Sequence, residues 1–140
     1  MPRRDLFHDA VKSALIKDGW TITHDPYNLP FGVTNLYVDL GAEAPPLGAE
    51  RAGRKIAVEV KSFRSPSPVA DLEGALGQFV LYRALLKKQE PDRMLYLALS
   101  REVYGSVFRE ADAQDLISEL ELRLIEVDEM QEVVTRWIEP

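Results

Sequence analysis

The spacing of apolar residues along the chain predicts three helical segments. Apolar residues recur at every third or fourth position over residues 4–17, and Asp18-Gly19 follows them, so we expect an amphipathic helix that ends there. Residues 69–89 predict a long helix with apolar residues on nearly every side, which we expect to be largely buried. Residues 101–120 predict a third helical segment, acidic on its exposed side and interrupted near Ala111.

Alternating apolar and polar residues, bounded by proline and glycine, predict six strands. They are expected over residues 20–24, 36–42, 54–62, 94–99, 122–127 and 132–138. Two prolines and two glycines within residues 44–53 predict a hairpin loop between the second and third strands. The third strand has the clearest alternation, because Ile56 and Val58 fall on one face whereas Glu59 and Lys61 fall on the other.

The order of these elements, α-β-β-β-α-β-α-β-β, indicates an α/β fold with a mixed sheet. A chain of 140 residues with 46% apolar and 29% charged residues has the size of one domain, which we expect to span residues 1–140. Charges interrupt every apolar stretch before it reaches the ~20 residues of a membrane-spanning helix. The first residues lack the apolar run of a secretory signal and cysteine is absent, so a cytoplasmic protein is expected.

The charge of the chain is unevenly distributed. The formal net charge is −6, and residues 101–140 alone carry 4 Lys/Arg against 11 Asp/Glu. A free-standing, high-affinity nucleic-acid binder usually has a basic excess, because neutralisation of phosphates dominates its affinity. Any contact with DNA is therefore expected to be weak, local to the first half of the chain, or supported by a partner that supplies positive charge.

Three charged residues on two neighbouring strands form the most informative cluster. Glu59 and Lys61 project from the same surface of the third strand, and Asp39 interrupts an apolar run in the strand that the hairpin lays beside it. Two carboxylates and a backbone carbonyl, here that of Val60, can hold Mg²⁺, which lowers the pKa of a bound water while Lys61 orients it. The alternative is a set of solvated residues on an edge strand that pair with one another.

The surrounding residues resemble a known family. Asp39, Glu59-Val60-Lys61 and a following helix with Gly77-Gln78 are similar to the PD-(D/E)XK, or restriction-endonuclease-like, superfamily. Longer segments closely resemble the XisH family: DLFHDAVKSALIKDGW at residues 5–20, LYVDLGAE at 36–43, KIAVEVKSF at 55–63 and ALGQFVLYR at 75–83. The likeness extends over residues 5–138.

The resemblance implies a restriction-endonuclease-like three-layer α/β/α core and a role as a controlling factor for excision of a DNA element, a programmed DNA rearrangement. The expected partners are DNA, a recombinase and a companion protein of the XisI type. The superfamily uses residues at the positions of Asp39 and Glu59 to bind a divalent metal, and one at the position of Lys61 to assist phosphodiester hydrolysis. A magnesium-dependent endodeoxyribonuclease is one interpretation. The other is a non-catalytic subunit that binds the XisI-type companion or forms a homodimer, and an RNA-directed endonuclease is not distinguished by sequence.

The long helix contributes two further candidates. Gln78 lies among apolar residues, so its amide is either a satisfied core group or, as the superfamily often has it, a member of the metal site. Tyr82 follows one turn later and would face the same way. Gly74 and Gly77 are expected to permit close packing of the helix against the sheet.

Three residues outside that helix are accessory candidates. His8 lies on the first helix, where many members of the superfamily have a glutamate, and a lone histidine is more often a packed, hydrogen-bonded residue than a ligand. Glu43 shares the alternation of Asp39 if the strand continues, and is either a supplementary carboxylate or a solvated strand end. Arg64, three residues after Lys61, is the best placed cation to contact a backbone phosphate.

Overall fold

The structure, a computed structural model, describes residues 6–45 and 53–140. Its elements in chain order are α1 Leu6–Lys17, β1 Thr21–His24, β2 Tyr27–Phe31, β3 Thr34–Val38, β4 Leu40–Ala44, β5 Arg54–Val60, α2 Pro68–Gln89, β6 Arg93–Ser100, α3 Arg101–Val103 with a following π-helical turn Tyr104–Phe108, α4 Ala111–Glu119, β7 Leu124–Asp128 and β8 Val133–Ile138.

Six of the strands form one mixed sheet in the order β1-β4-β5-β6-β7-β8. β5, β6 and β7 run parallel to one another, whereas the other neighbouring pairs are antiparallel. β2 and β3 form a separate antiparallel hairpin. The predicted α/β fold with a mixed sheet is therefore confirmed.

Helices cover both faces of the sheet, because alternate residues of each central strand point to opposite sides. Ile56 and Val58 of β5 belong to a core cluster with the buried face of α1, including Val11 and Leu15. Ala57 belongs to the second cluster, which contains α2, the β2–β3 hairpin and the segments after β6. The result is a three-layer arrangement in which α2 covers the face that also carries Glu59.

The chain changes sheet at Asp39, which the sequence analysis did not anticipate. Residues 36–42 were expected to form one strand, but β3 ends at Val38 and β4 begins at Leu40. β3 pairs with β2, a segment that is not among the six predicted strands because Asn28 and Pro30 are typical of a break. This interpretation was wrong because β2 has only one strand neighbour and tolerates proline there, while Tyr27 and Leu29 alternate inward.

α2 is less buried than its composition suggested. Only Ala75, Phe79, Tyr82 and Leu86 are buried, and they lie on the face toward the sheet. Apolar residues on the opposite side are exposed, with Val69 at 66%, Val80 at 44% and Leu81 at 40%. A Cβ atom built on Gly74 or Gly77 would meet nothing within 4 Å, so the expected close packing of these glycines against the sheet is also wrong.

The remaining boundaries follow the predicted pattern closely. The helical segment after β6 is interrupted between Phe108 and Ala111, as expected. Residues 4 and 5 of the first predicted helix and residues 46–52 of the predicted hairpin loop lie outside the described residues.

No helix in the described part of the chain is long and apolar enough to cross a membrane.

Candidate acidic site at the sheet edge

Asp39 lies where the chain passes from the hairpin to the main sheet. Residue 39 belongs to neither strand, so its backbone N–H is available and donates to Oε1 of Glu59 at 3.2 Å. In return, the backbone N–H of Val60 donates to Oδ2 of Asp39 at 2.8 Å. These two reciprocal bonds hold the Asp39 and Glu59 carboxyl groups together, as the sequence pattern predicts.

Glu59 is the penultimate residue of β5 and is only 6% exposed. Burial raises the pKa of its carboxyl group, and the neighbouring Asp39 carboxylate raises it further, whereas the Lys61 ammonium lowers it; the resulting pKa is about 7. The Nζ atom of Lys61 lies 3.3 Å from Oε2 of Glu59. All three predicted residues therefore converge, and the two carboxylates, of which Glu59 is buried and Asp39 half-buried, carry an excess of negative charge that attracts a cation.

Two residues of α2 form the wall opposite the carboxylates. Burial raises the pKa of the Tyr82 hydroxyl, and the charges of Glu59 and Asp39 raise it further, which places the tyrosine within their field. Gln78 lies one turn earlier on the same side of the helix. Its Oε1 atom is buried and accepts no hydrogen bond within the described part of the chain. A buried amide oxygen without a donor is costly unless another group, such as a cation, satisfies it.

A cavity of about 430 Å³ opens between the end of β5 and the start of α2; Val60 and Lys61, which follow Glu59 in the chain, line it, whereas Asp39 and Glu59 do not. Lys61, Arg64 and Gln78 are among the residues that line it. Asp71, which also lines the cavity, accepts a hydrogen bond from the Ser65 backbone N–H at 3.1 Å and so orders the loop that carries Arg64. Arg64 is exposed, as a residue that contacts a phosphate would need to be. Sequence analysis missed Asp71, for which the only signal was its place in the first turn of α2.

His8 lies in a second polar cluster. Its Nε2 atom is hydrogen-bonded to Oδ1 of Asp25 at 3.0 Å, and the Lys12 ammonium donates to Oδ2 of the same carboxylate at 2.9 Å. Burial raises the pKa of the Asp25 carboxyl, but the hydrogen bonds from Lys12 and His8 outweigh it and lower the pKa overall. The helical spacing of His8 and Lys12 could have suggested a shared partner, but Asp25 lies 17 and 13 residues away from them and no local pattern points to it.

Glu43 is not brought to the site. Its cross-strand neighbours are Thr21 and Lys55. Lys55 precedes Glu59 by four residues on β5, which corresponds to about 13 Å along a strand. Glu43 therefore occupies the other end of the same face.

The donor set at the carboxylates fits a hard divalent cation. The described residues contain no group of three or more His, Cys, Asp or Glu side chains that could hold a metal ion. Mg²⁺ needs fewer protein side chains than three, because it retains several waters. It is often bound by one or two carboxylates together with substrate phosphates. Asp39 and Glu59 would supply these carboxylates, and the unpartnered Oε1 of Gln78 and the Val60 carbonyl are further oxygen donors of the preferred type.

Comparison with known proteins identifies the family. The family model of the XisH protein matches residues 1–135. The crystal structure of an XisH family protein from Nostoc punctiforme PCC 73102 has 41% sequence identity and a TM-score of 0.84, over 96% of this chain and 99% of that one. The crystal structure of an fdxN element excision controlling factor protein from Anabaena variabilis has 44% identity and a TM-score of 0.84 over the same shares. No curated protein matches the chain. The chain belongs to the XisH family.

Proposed function

We propose that this chain is a cytoplasmic controlling factor for excision of a DNA element, and that it acts on DNA through a magnesium-dependent phosphodiester site of the PD-(D/E)XK type. The role in excision rests on the similarity to the Anabaena variabilis factor. The observation that carries the chemistry is the convergence of Asp39, Glu59 and Lys61 around a buried carboxyl group whose pKa is about 7.

Each residue of the site has a distinct part in this proposal. Asp39 and Glu59 hold the cation, and the Val60 carbonyl and the Gln78 amide oxygen complete the protein ligands. When bound, the cation stabilises negative charge on a phosphate and lowers the pKa of a coordinated water. Tyr82 shields the carboxylates from solvent on the side of α2.

The two cations at the cavity act on the substrate. Lys61 is partly exposed, and its ammonium can leave Glu59 to donate to a phosphate oxygen or to orient the attacking water. Arg64 can contact a neighbouring phosphate of the same strand, because a guanidinium binds phosphate oxygens in pairs. Since the whole chain is acidic, such local contacts give weak DNA binding, and a recombinase or companion protein would supply the remaining affinity.

The proposal is tested by measuring metal binding and cleavage on one preparation. Calorimetric titration with Mg²⁺ and with Mn²⁺ should detect one site, and Asp39→Ala and Glu59→Ala should abolish it. The same preparation is incubated with branched DNA and with DNA that carries the element ends. Glu43→Ala is the matched control, since Glu43 shares the face of the sheet but lies about 13 Å along the strand. Failure of the wild-type protein to bind either cation would refute the catalytic proposal.

A second function is favoured by a different observation. Among the residues that the structure describes, the site joins only the carboxylates of Asp39 and Glu59. Residues 101–140 carry a net charge of −7, which repels DNA but suits a basic protein surface. In this alternative, the nuclease-like fold serves as a binding subunit for an XisI-type companion. Co-purification with the companion and unchanged excision by Glu59→Ala would support it. Loss of excision in that variant, with the companion still bound, would refute it.

A further inference from the structure

The side of α2 that faces away from the sheet is unusually apolar for a solvent-exposed surface. We define this outer face by its exposed residues, which are Val69, Ala70, Glu73, Gly74, Gly77, Val80, Leu81, Ala84, Lys87 and Lys88. A surface helix normally places polar residues on this side. Here the charged residues lie only toward the two ends, and the middle of the face consists of small and aliphatic side chains.

The two glycines of the outer face leave its surface open. No atom of the described residues lies within 4 Å of a Cβ built on Gly74 or Gly77, so none of these residues requires glycine there. Glycine in the interior of a helix lowers helix stability relative to alanine. Its benefit is that another helix can approach the backbone closely, toward the lower limit of about 8 Å between helix axes.

The charges of the outer face are complementary to those of a second, antiparallel copy of the same face. Glu73 lies near the start of the helix, and Lys87 and Lys88 lie in its last turn. None of the three side chains forms an ion pair with any residue of the ranges 6–45 and 53–140. An antiparallel copy of the same helix would place its basic end beside the acidic start of this one.

We propose that two copies of the chain associate through the outer face of α2, with the two helices antiparallel about a twofold axis near residues 79 and 80. Positions equally distant from such an axis face each other. Gly77 then lies opposite Leu81 of the second copy, so a large side chain fills the space above a glycine. Glu73 lies level with residue 85 of the second copy, only two residues or about 3 Å along the axis from its Lys87, whose long side chain reaches that far, and the twofold axis makes each contact occur twice.

The pairing would also fix the orientation of the two acidic sites. Gln78 belongs to the site and is adjacent in sequence to Gly77 of the outer face. Two copies joined through α2 therefore hold their sites on either side of one helix pair. This inference does not depend on whether the site cleaves DNA.

The test is the mass of the protein in solution. A 22-residue helix is about 33 Å long. One helix pair therefore gives an interface at the small end of the known range, so association must be measured over a concentration series. Sedimentation equilibrium from about 1 µM to about 1 mM should show the mass rising from 15.8 kDa toward twice that value. A constant monomer mass over this range would overturn the proposal. The same result is expected if the outer face binds a different protein instead of a second copy.

Two substitutions separate loss of pairing from loss of folding. Gly77→Leu should weaken association at least tenfold, because the second helix can no longer approach, while the thermal stability of the monomer stays equal or rises as glycine is removed. Leu81→Glu should have the same effect on association. Val33→Asp, an equally apolar exposed position on the β2–β3 hairpin, is the control and should leave the mass unchanged. Association that survives both α2 substitutions would overturn the proposed surface.

Charge reversal tests the register of the two helices. Glu73→Lys alone and Lys87→Glu alone should each weaken association, because each places like charges opposite one another. An equimolar mixture of the two variants should associate, since every charge in the mixed pair then meets its opposite. A mixture no more associated than the separate variants would overturn the antiparallel arrangement.

Discussion

Replacing Glu59 with glutamine should change how the stability of the protein depends on pH. The pKa of the Glu59 carboxyl is about 7 in the folded protein, against an ordinary value of 4.5, chiefly because it is buried and secondly because Asp39 repels its charge. A group whose pKa is raised by folding favours the folded state while it is protonated. Its contribution is complete below about pH 4.5 and is lost as the pH rises through about 7.

The size of the effect follows from the two pKa values. A rise from 4.5 to about 7 corresponds to about 3 kcal/mol of folding free energy, lost by pH 8 to 9 in the absence of a divalent cation. Glutamine has nearly the shape of protonated glutamate and retains an oxygen for the Asp39 backbone N–H, but it cannot ionise. Glu59→Gln should therefore match the wild type below about pH 4.5, exceed its stability by about 1 kcal/mol at pH 5 and exceed it by about 3 kcal/mol near pH 9.

Urea unfolding at intervals from pH 5 to 9, in a buffer with a chelator, measures the free energy of unfolding of both proteins. Glu43→Gln is the control, because it removes a carboxylate from the same face of the sheet and leaves Glu59 in place. Its curve should keep the wild-type slope. If the curves of the wild type and Glu59→Gln run parallel across this range, the carboxyl of Glu59 does not have the raised pKa on which the proposed site depends.

The metal site, the core and one tight strand contact give three further predictions. Because Glu59 must lose its proton to bind a cation, Mg²⁺ affinity should rise up to tenfold between pH 6 and 7 and level off above pH 8, with proton release measured by calorimetry in two buffers. Phe79→Ala should destabilise the protein by about 3–5 kcal/mol in urea unfolding, since Phe79 is fully buried between α2 and the sheet. Gly41→Ala should cost about 1–3 kcal/mol, because its methyl group would lie 3.0 Å from the side chains of His24 and Tyr27; an unchanged midpoint would show that these rings move aside.

Much of the fold could be predicted because the secondary structure that the local sequence pattern favours is also the one present in the folded protein. β5 has branched apolar residues at the alternate positions 56, 58 and 60, so both of its faces and the direction of Glu59 could be assigned from the sequence. β2 could not be predicted from the sequence, because Asn28 and Pro30 are typical of a turn. This segment is a strand only because it pairs with β3 and because Leu29 is buried. Composition also misled at α2, where apolar residues on every side suggested burial that the monomer does not provide.

The candidate site was predictable to a different extent for each residue. Glu59 lies on β5, and Asp39 and Lys61 directly adjoin the paired strands β4 and β5, so their convergence follows from the register of one strand pair. Asp39 is nevertheless held by a change of sheet that no local pattern reveals. Glu43 lies on the same face of the sheet as Glu59, as its alternation indicates, but it is too far from Glu59 along the strand. Alternation gives the face on which a residue lies and not its position along the strand.

The packing of α1 has a consequence for the order in which this protein folds. Trp20, which follows α1, packs against Trp137 of β8 with ring centroids 5.6 Å apart and the ring planes tilted by 39°. The Trp137 indole also donates to Asp18, 119 residues earlier in the chain. Because α1 precedes β8 in the chain, it acquires this neighbour only when β8 has been synthesised. Its apolar face must be kept from misassociation throughout translation, and chaperone binding to nascent chains should concentrate there.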